Sequence, residues 1–98
     1  MTKQSTSDDE PVLHLIFSST GFRAAQSRAA HHDIWVLIGD GVYALTNGQG
    51  IPSNLHVIQA DLEQRGVRIP DAGQSITAID DLELVDLVSG SSHTVSWR

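Results

Sequence analysis

The chain has 98 residues, a formal net charge of -6 and no cysteine. This length suits one small domain, and the hydrophobic fraction of 40% is that of a globular protein rather than a disordered one. Without cysteine the sequence excludes a disulfide framework, a thiolate nucleophile, a persulfide carrier and a Cys-ligated metal site. We therefore expect a single domain over residues 11–98 with no thiol chemistry of its own.

The first ten residues, MTKQSTSDDE, are predicted to be a disordered polar tail. They lack the apolar stretch of a secretory signal peptide, and no run of the sequence approaches the roughly 18 apolar residues of a membrane helix. We therefore expect a cytoplasmic protein that does not contact a membrane.

The charges are unevenly distributed along the chain. Asp80, Asp81, Glu83 and Asp86 form an acidic block with no basic residue among them, and the tail holds the single lysine, Lys3. No basic stripe is present to neutralise phosphates, so we do not expect the chain to bind nucleic acid alone. An acidic segment suits either a protein partner or a solvated surface.

Short apolar runs alternate with helix-forming stretches in the first half of the chain. Val12–Phe17 and Ile34–Ile38 are typical of strands buried on both faces of a parallel sheet. Between them, the alanine-rich stretch from Thr20 to His32 predicts a helix with a Ser or Thr N-cap. A Gly-Asp-Gly sequence at 39–41 ends the second strand, and Val42–Leu45 predicts a helical turn.

The same alternation continues in the second half. Leu55–Ile58 and Ile76–Ile79 predict two further strands, and Ala60–Arg65 predicts a short helix ended by Gly66 in the left-handed conformation. Residues 94–97 predict either a final strand or a docked tail. This order of elements, joined by short links, predicts a three-layer α/β/α sandwich with a small, mostly parallel sheet.

The last predicted helix has more apolar surface than one sheet requires. Asp80 with Glu83 three residues later is a capping-box pattern, and Gly90 ends the helix. Leucine and valine side chains between these ends cover more than half of the helix circumference, whereas docking on a sheet needs an arc of about 100°. We expect the surplus to contact another subunit, because a parallel sheet this small is marginal alone.

Four groups of polar residues are candidates for chemistry. Asp40 follows a strand where open α/β sheets bind ligands, but turn chemistry and capping of the next helix explain it more simply. His14, inside a strand, is either a satisfied core residue or an ionisable functional group. Ser18 and its neighbours Ser19 and Thr20 suit helix capping better than nucleophilic catalysis. The His-His-Asp run at 31–33 resembles a metal cluster, yet adjacent helical residues point about 100° apart, which favours a structural role.

Several segments together resemble the TusB/DsrH family of sulfur-relay subunits. These segments are V-L-H-L at 12–15, L-I-G-D-G-V-Y-A-L at 37–45, L-H-V-I-Q-A-D-L-E-Q-R-G-V at 55–67, I-D-D-L-E-L-V-D-L-V at 79–88 and S-W at 96–97. They span nearly all of the chain beyond the tail. The D-G-V-Y-A and D-L-x-x-R-G pieces, in this order and spacing, are the most specific.

This resemblance implies a DsrE-like fold in a hetero-oligomer with two related subunits, TusC/DsrF-like and TusD/DsrE-like. In one branch of the family such a complex passes persulfide sulfur toward 2-thiolation of the tRNA wobble uridine, and in another it handles sulfur in dissimilatory oxidation. Some members carry a cysteine in or near the first helix, where residues 24–26 here are Ala-Ala-Gln. The resemblance therefore implies an accessory subunit of a sulfurtransferase complex.

The residues expected to face a partner or a pocket are Asp40, Tyr43, Arg65 and Trp97, of which the first three lie in the two most specific pieces of the resemblance. We assign no catalytic residue, no metal ligand and no cofactor. The tRNA branch is favoured because it is the more widespread. The alternatives are a DsrH-like role in sulfur oxidation, an independent small-molecule-binding α/β domain that uses Asp40 and His14, and a self-associating domain without a relay role.

Overall fold

The computed structural model describes residues 10–30, 32–46, 50–70 and 76–98. Five strands alternate with helices in these ranges. The strands are β1 (Leu13–Ile16), β2 (Ile34–Leu37), β3 (Leu55–Ile58), β4 (Ile76–Ile79) and β5 (Thr94–Trp97). The helices are α1 (Ser19–Gln26), a 3-10 helix (Gly39–Thr46), α2 (Gln59–Arg65) and α3 (Asp81–Ser89).

All five strands are parallel and lie in the order β4-β3-β2-β1-β5. The chain moves stepwise from β1 to β4 and then crosses back over the sheet to place β5 beside β1. Parallel crossovers are right-handed, so α1, the 3-10 helix and α2 lie on one face and α3 lies on the other. The predicted α/β sandwich with a parallel sheet is thus confirmed.

The larger core lies on the first face of the sheet. Alternate side chains of the central strands point to this face, as the twofold period of a strand requires, and three helical segments cover them. The buried cluster comprises Ile16, Phe22, Ala25, Trp35, Leu37, Val42, Ala44, Leu45, Leu55, Val57 and Leu62.

The second face is thinly covered, because α3 is the one described helix that packs on it. Its buried cluster comprises Leu13, Val36, Ile58 and Ile79. From α3, Leu84 and Leu87 pack against this cluster, yet no residue of the helix is fully buried. The helix is therefore attached along a narrow strip and leaves the rest of its surface to solvent.

Several local predictions are confirmed. The capping box forms at Asp80 and Glu83, and Gly66 adopts the left-handed conformation with φ 64°. The Ser18 hydroxyl accepts from the Gly21 N–H at 2.9 Å, so it caps α1. Residues 94–97 form a strand rather than a docked tail, paired with β1 at the edge of the sheet.

The first helix is shorter than predicted. It ends at Gln26 instead of continuing to His32, because Asp33 binds the following turn: its carboxylate accepts from the Ala30 N–H at 3.0 Å. The helical turn predicted at 42–45 is confirmed and is part of a longer 3-10 helix, Gly39–Thr46. The disordered tail predicted over residues 1–10 lies outside the described residues except for Glu10, so it stays a prediction.

Candidate functional site

The Gly-Asp-Gly sequence after β2 is explained by the backbone on either side of Asp40. Gly39 has φ 55°, a left-handed conformation that other residues rarely adopt. Gly41 packs directly on the end of β1: a Cβ there would overlap the Ile16 carbonyl oxygen and lie 2.8 Å from its carbon. The two glycines thus allow a sharp exit from the strand, and Asp40 between them points outward.

Residues of two segments meet at this point and form what we call the carboxyl-end cluster: Gly39, Asp40, Asp61 and Arg65. The Gly39 N–H donates to Asp61 Oδ2 at 2.7 Å, which ties the end of β2 to the first turn of α2. Arg65 Nε donates to Asp40 Oδ1 at 3.0 Å, and its Nη1 lies 3.7 Å from Asp61 Oδ1. Two carboxylates therefore hold the guanidinium in place.

The 3-10 helix exposes every third residue. Asp40, Tyr43 and Thr46 are exposed, whereas the pairs of residues between them are buried. A 3-10 helix has three residues per turn, so side chains at i and i+3 lie on the same face. Asp40 and Tyr43 consequently share one outward face beside Arg65. The structure brings together three of the four residues predicted to face a partner or a pocket.

Trp97, the fourth predicted residue, lies elsewhere, on β5 and across β1 from β2. Its indole N–H donates to His14 Nδ1 at 3.0 Å. On the other side of the ring, His14 Nε2 lies 2.8 Å from Asp33 Oδ2. We call His14, Asp33 and Trp97 the His14 network. It joins β1, the turn before β2 and the edge strand β5.

The hydrogen bonds of the His14 network give each ring nitrogen a different role. An indole N–H can only donate, so His14 Nδ1 must accept and carries no proton. The other ring nitrogen, Nε2, then donates to Asp33 Oδ2. Both ring nitrogens are occupied and the residue is 4% exposed. The interpretation of His14 as a satisfied core residue is confirmed.

Asp33 is a buried carboxylate with three donors. Burial disfavours its charged form, but hydrogen bonds from His14 and from the backbone N–H groups of Val12 and Ala30 outweigh that effect. The pKa of Asp33 therefore lies below its ordinary value of 3.8. Asp33 is committed to these donors, and His31 lies outside the described residues. Across the described ranges, no group of three His, Asp or Glu side chains is arranged to hold a metal ion.

Sequence reasoning missed the roles of Asp33 and Asp61. Asp61 carried a usable signal, because a carboxylate in the first turn of a helix after a parallel strand faces the loop that leaves the neighbouring strand. The sequence marks Asp33 only as a member of the His-His-Asp run. Its partner His14 is 19 residues away and Trp97 is 83 residues from His14, so no local pattern connects the three.

Comparison of the chain with protein-family models and with curated proteins found no match in either case. The assignment to a family therefore stays a prediction from the motifs. Among the helices of the described residues, none has the length and apolar character needed to cross a bilayer.

Proposed function

We propose that this chain is a noncatalytic subunit of a cytoplasmic sulfur-relay complex of the TusB/DsrH kind, supporting persulfide transfer toward 2-thiolation of the tRNA wobble uridine. One observation carries the proposal. The two most specific segments of the resemblance, at 37–45 and 55–67, are tied together by the Gly39–Asp61 hydrogen bond and the Asp40–Arg65 ion pair. Residues of two motifs that lie far apart in the sequence thus form one surface, which argues for a shared role.

The chemistry of the chain supports a role in contact rather than catalysis. A persulfide carrier needs a thiolate, and the 98 residues contain no cysteine. His14 is a buried ionisable candidate for acid–base work, yet both of its nitrogens are engaged within the core. Sulfur must therefore travel on the related subunits, and this chain contributes shape.

The carboxyl-end cluster with Tyr43 is the surface that we assign to a related subunit. Tyr43 is 41% exposed and stands beside Asp40, whose side chain is 70% exposed. Tyrosine and arginine are enriched at the energetic centres of protein interfaces. In this position they would border a pocket around a partner's cysteine. Trp97 contributes by fixing β5 to the sheet through His14.

Assembly with the related subunits tests the proposal. Co-expression with a TusC/DsrF-like and a TusD/DsrE-like subunit should give a complex that contains all three chains by native mass spectrometry. Tyr43→Ala should raise the dissociation constant of the complex about tenfold, as expected for an aromatic anchor that becomes buried on assembly. Val95→Ser, which removes a similarly exposed apolar side chain on β5, is the control and should leave assembly unchanged.

A chain that stays monomeric in the presence of both subunits would contradict the proposal. The same assembly is expected for a DsrH-like role in sulfur oxidation. The identity of the sulfur acceptor distinguishes that role from tRNA thiolation. A ligand-dependent thermal shift of the isolated protein that Asp40→Asn abolishes would instead favour a small-molecule-binding domain.

A further inference from the structure

The outward face of α3 is apolar although it is exposed in the described part of the chain. Leu82 is 75% exposed and Val85 is 57% exposed. Residues three apart on a helix are neighbours, so these two side chains form one patch. Leu84 and Leu87 point the other way and attach the helix to the sheet. The patch is therefore additional to the packing that holds α3 in place.

Carboxylates flank the patch on both sides. Asp81 lies one turn before Val85, and Asp86 lies one turn after Leu82, so each acid adjoins an exposed aliphatic side chain. The helix has no basic residue in its last turn, and Asp80 and Glu83 add two further exposed carboxylates near its start. The patch has an apolar centre and an acidic rim.

The described arginines lie away from this patch. Arg23 lies on α1 and Arg65 at the end of α2, both on the first face of the sheet, and Arg28 and Arg68 follow those two helices. Arg98 follows β5 at the edge and lies over the Phe17 ring. The first face thus carries arginines and acids together, whereas the acids of α3 form no ion pair with a cation in the described ranges.

A groove beside α3 extends the same surface toward the centre of the sheet. It has a volume of about 390 Å³ and is lined by residues that include Pro11, Ile34, Asp86 and Leu87. Ile34 and Leu15 on this face are only partly buried. A partner seated on α3 would therefore also cover apolar side chains of the sheet that a single helix leaves accessible.

We propose that the Leu82–Val85 patch binds a partner protein whose own surface has an apolar centre ringed by lysine and arginine. Charge complementarity selects this occupant over a second copy of the chain, because a symmetric pair joined through α3 would set four carboxylates against four others. The proposal rests on the proposed function, in which the partner is one of the two related subunits. It assigns that subunit a surface separate from the carboxyl-end cluster.

The test measures binding of the chain to the purified pair of related subunits by isothermal titration. The combined variant L82S/V85S should bind at least about tenfold more weakly than the unaltered chain, since it removes two aliphatic anchors. V95S, at an exposed valine on β5 outside the patch, should bind as the unaltered chain does. Equal urea unfolding midpoints among the variants will show that the weaker binding is not caused by unfolding.

Charge reversal gives a second, independent readout. D86K should weaken binding about tenfold at low ionic strength, and it should reduce the sensitivity of binding to added salt. E63K, at an exposed acid of α2 on the other face, is the matched control and should change neither quantity. Exposed charges act over about 10 Å at 0.1 M salt, so the salt series separates charge from packing.

The possible outcomes separate this proposal from the proposed function. If the unaltered chain and all variants bind the related subunits equally, the α3 patch is not the interface and the proposed function stands. If the unaltered chain does not bind them, both proposals are wrong. A concentration-dependent homodimer that L82S/V85S abolishes would show a second copy on the patch and would overturn this inference.

Discussion

Replacing Asp33 with alanine should lower the free energy of unfolding by about 3 kcal/mol or more. The carboxylate accepts from the Val12 N–H, the Ala30 N–H and His14 Nε2, and Asp33 is 4% exposed. Each buried donor left without an acceptor costs about 1–3 kcal/mol. The effect should be measured by urea unfolding at pH 7.

Asp40→Ala is the matched control for that variant. It also removes a carboxylate from an ion pair, but the Asp40 side chain is 70% exposed, so its loss should cost about 1 kcal/mol or less. Equal losses for the two variants would show that the His14 network does not organise the core as described.

The stability difference between the unaltered chain and Asp33→Ala should also depend on pH. The pKa of Asp33 is lowered on folding, so the carboxylate stabilises the folded state fully above its unfolded value of 3.8. That contribution is lost as the pH falls through the lower, folded value. The difference should therefore be the same at pH 7 and pH 5 and smaller below about pH 4. A difference that grows on acidification would contradict the assigned direction.

Gly41→Ala should destabilise the fold by about 3 kcal/mol or more, at the upper end of the cost of overpacking. A Cβ at this position overlaps the carbonyl group of Ile16, which is backbone of the interior strand β1 and cannot move aside as a flexible side chain would. Thermal or urea unfolding measures the effect.

Gly50→Ala provides the control for Gly41→Ala. A Cβ at Gly50 meets no atom within 4 Å, and the residue does not have a positive φ, so its replacement should change stability by about 1 kcal/mol or less. If Gly41→Ala is equally mild, the 3-10 helix does not pack against β1 as closely as the structure describes.

The parts of the fold that were predictable are those encoded by neighbouring residues. The capping box at Asp80 and Glu83, the left-handed Gly66 and the strand Leu55–Ile58 each depend on a few consecutive side chains. The alternation of strands and helices along the chain was sufficient to predict the fold class. The position of β5 beside β1 was not predictable in this way, because strand pairing across the whole chain leaves no local pattern.

The candidate site was predictable only in part, for the same reason. The flanking glycines mark Asp40 in the sequence, and the motif marks Arg65. Their ion pair joins residues 25 positions apart, so no local pattern predicts it. The alanine-rich sequence continues beyond Gln26 and predicts a longer α1, whereas a hydrogen bond from the Ala30 N–H to Asp33 competes with the helix. There a local hydrogen bond to a side chain, itself fixed by the long-range contacts of Asp33 with Val12 and His14, overrode helix propensity.

The central claim is that this chain supports sulfur transfer through contact and carries no sulfur itself. The most direct measurement follows labelled persulfide sulfur from a donor to the acceptor cysteine of the reconstituted relay complex, with and without this chain. The mass of each subunit is determined by mass spectrometry in the same experiment. We predict that transfer requires the chain and that its mass stays unchanged throughout. A sulfur adduct on the chain, or full transfer in its absence, would contradict the account.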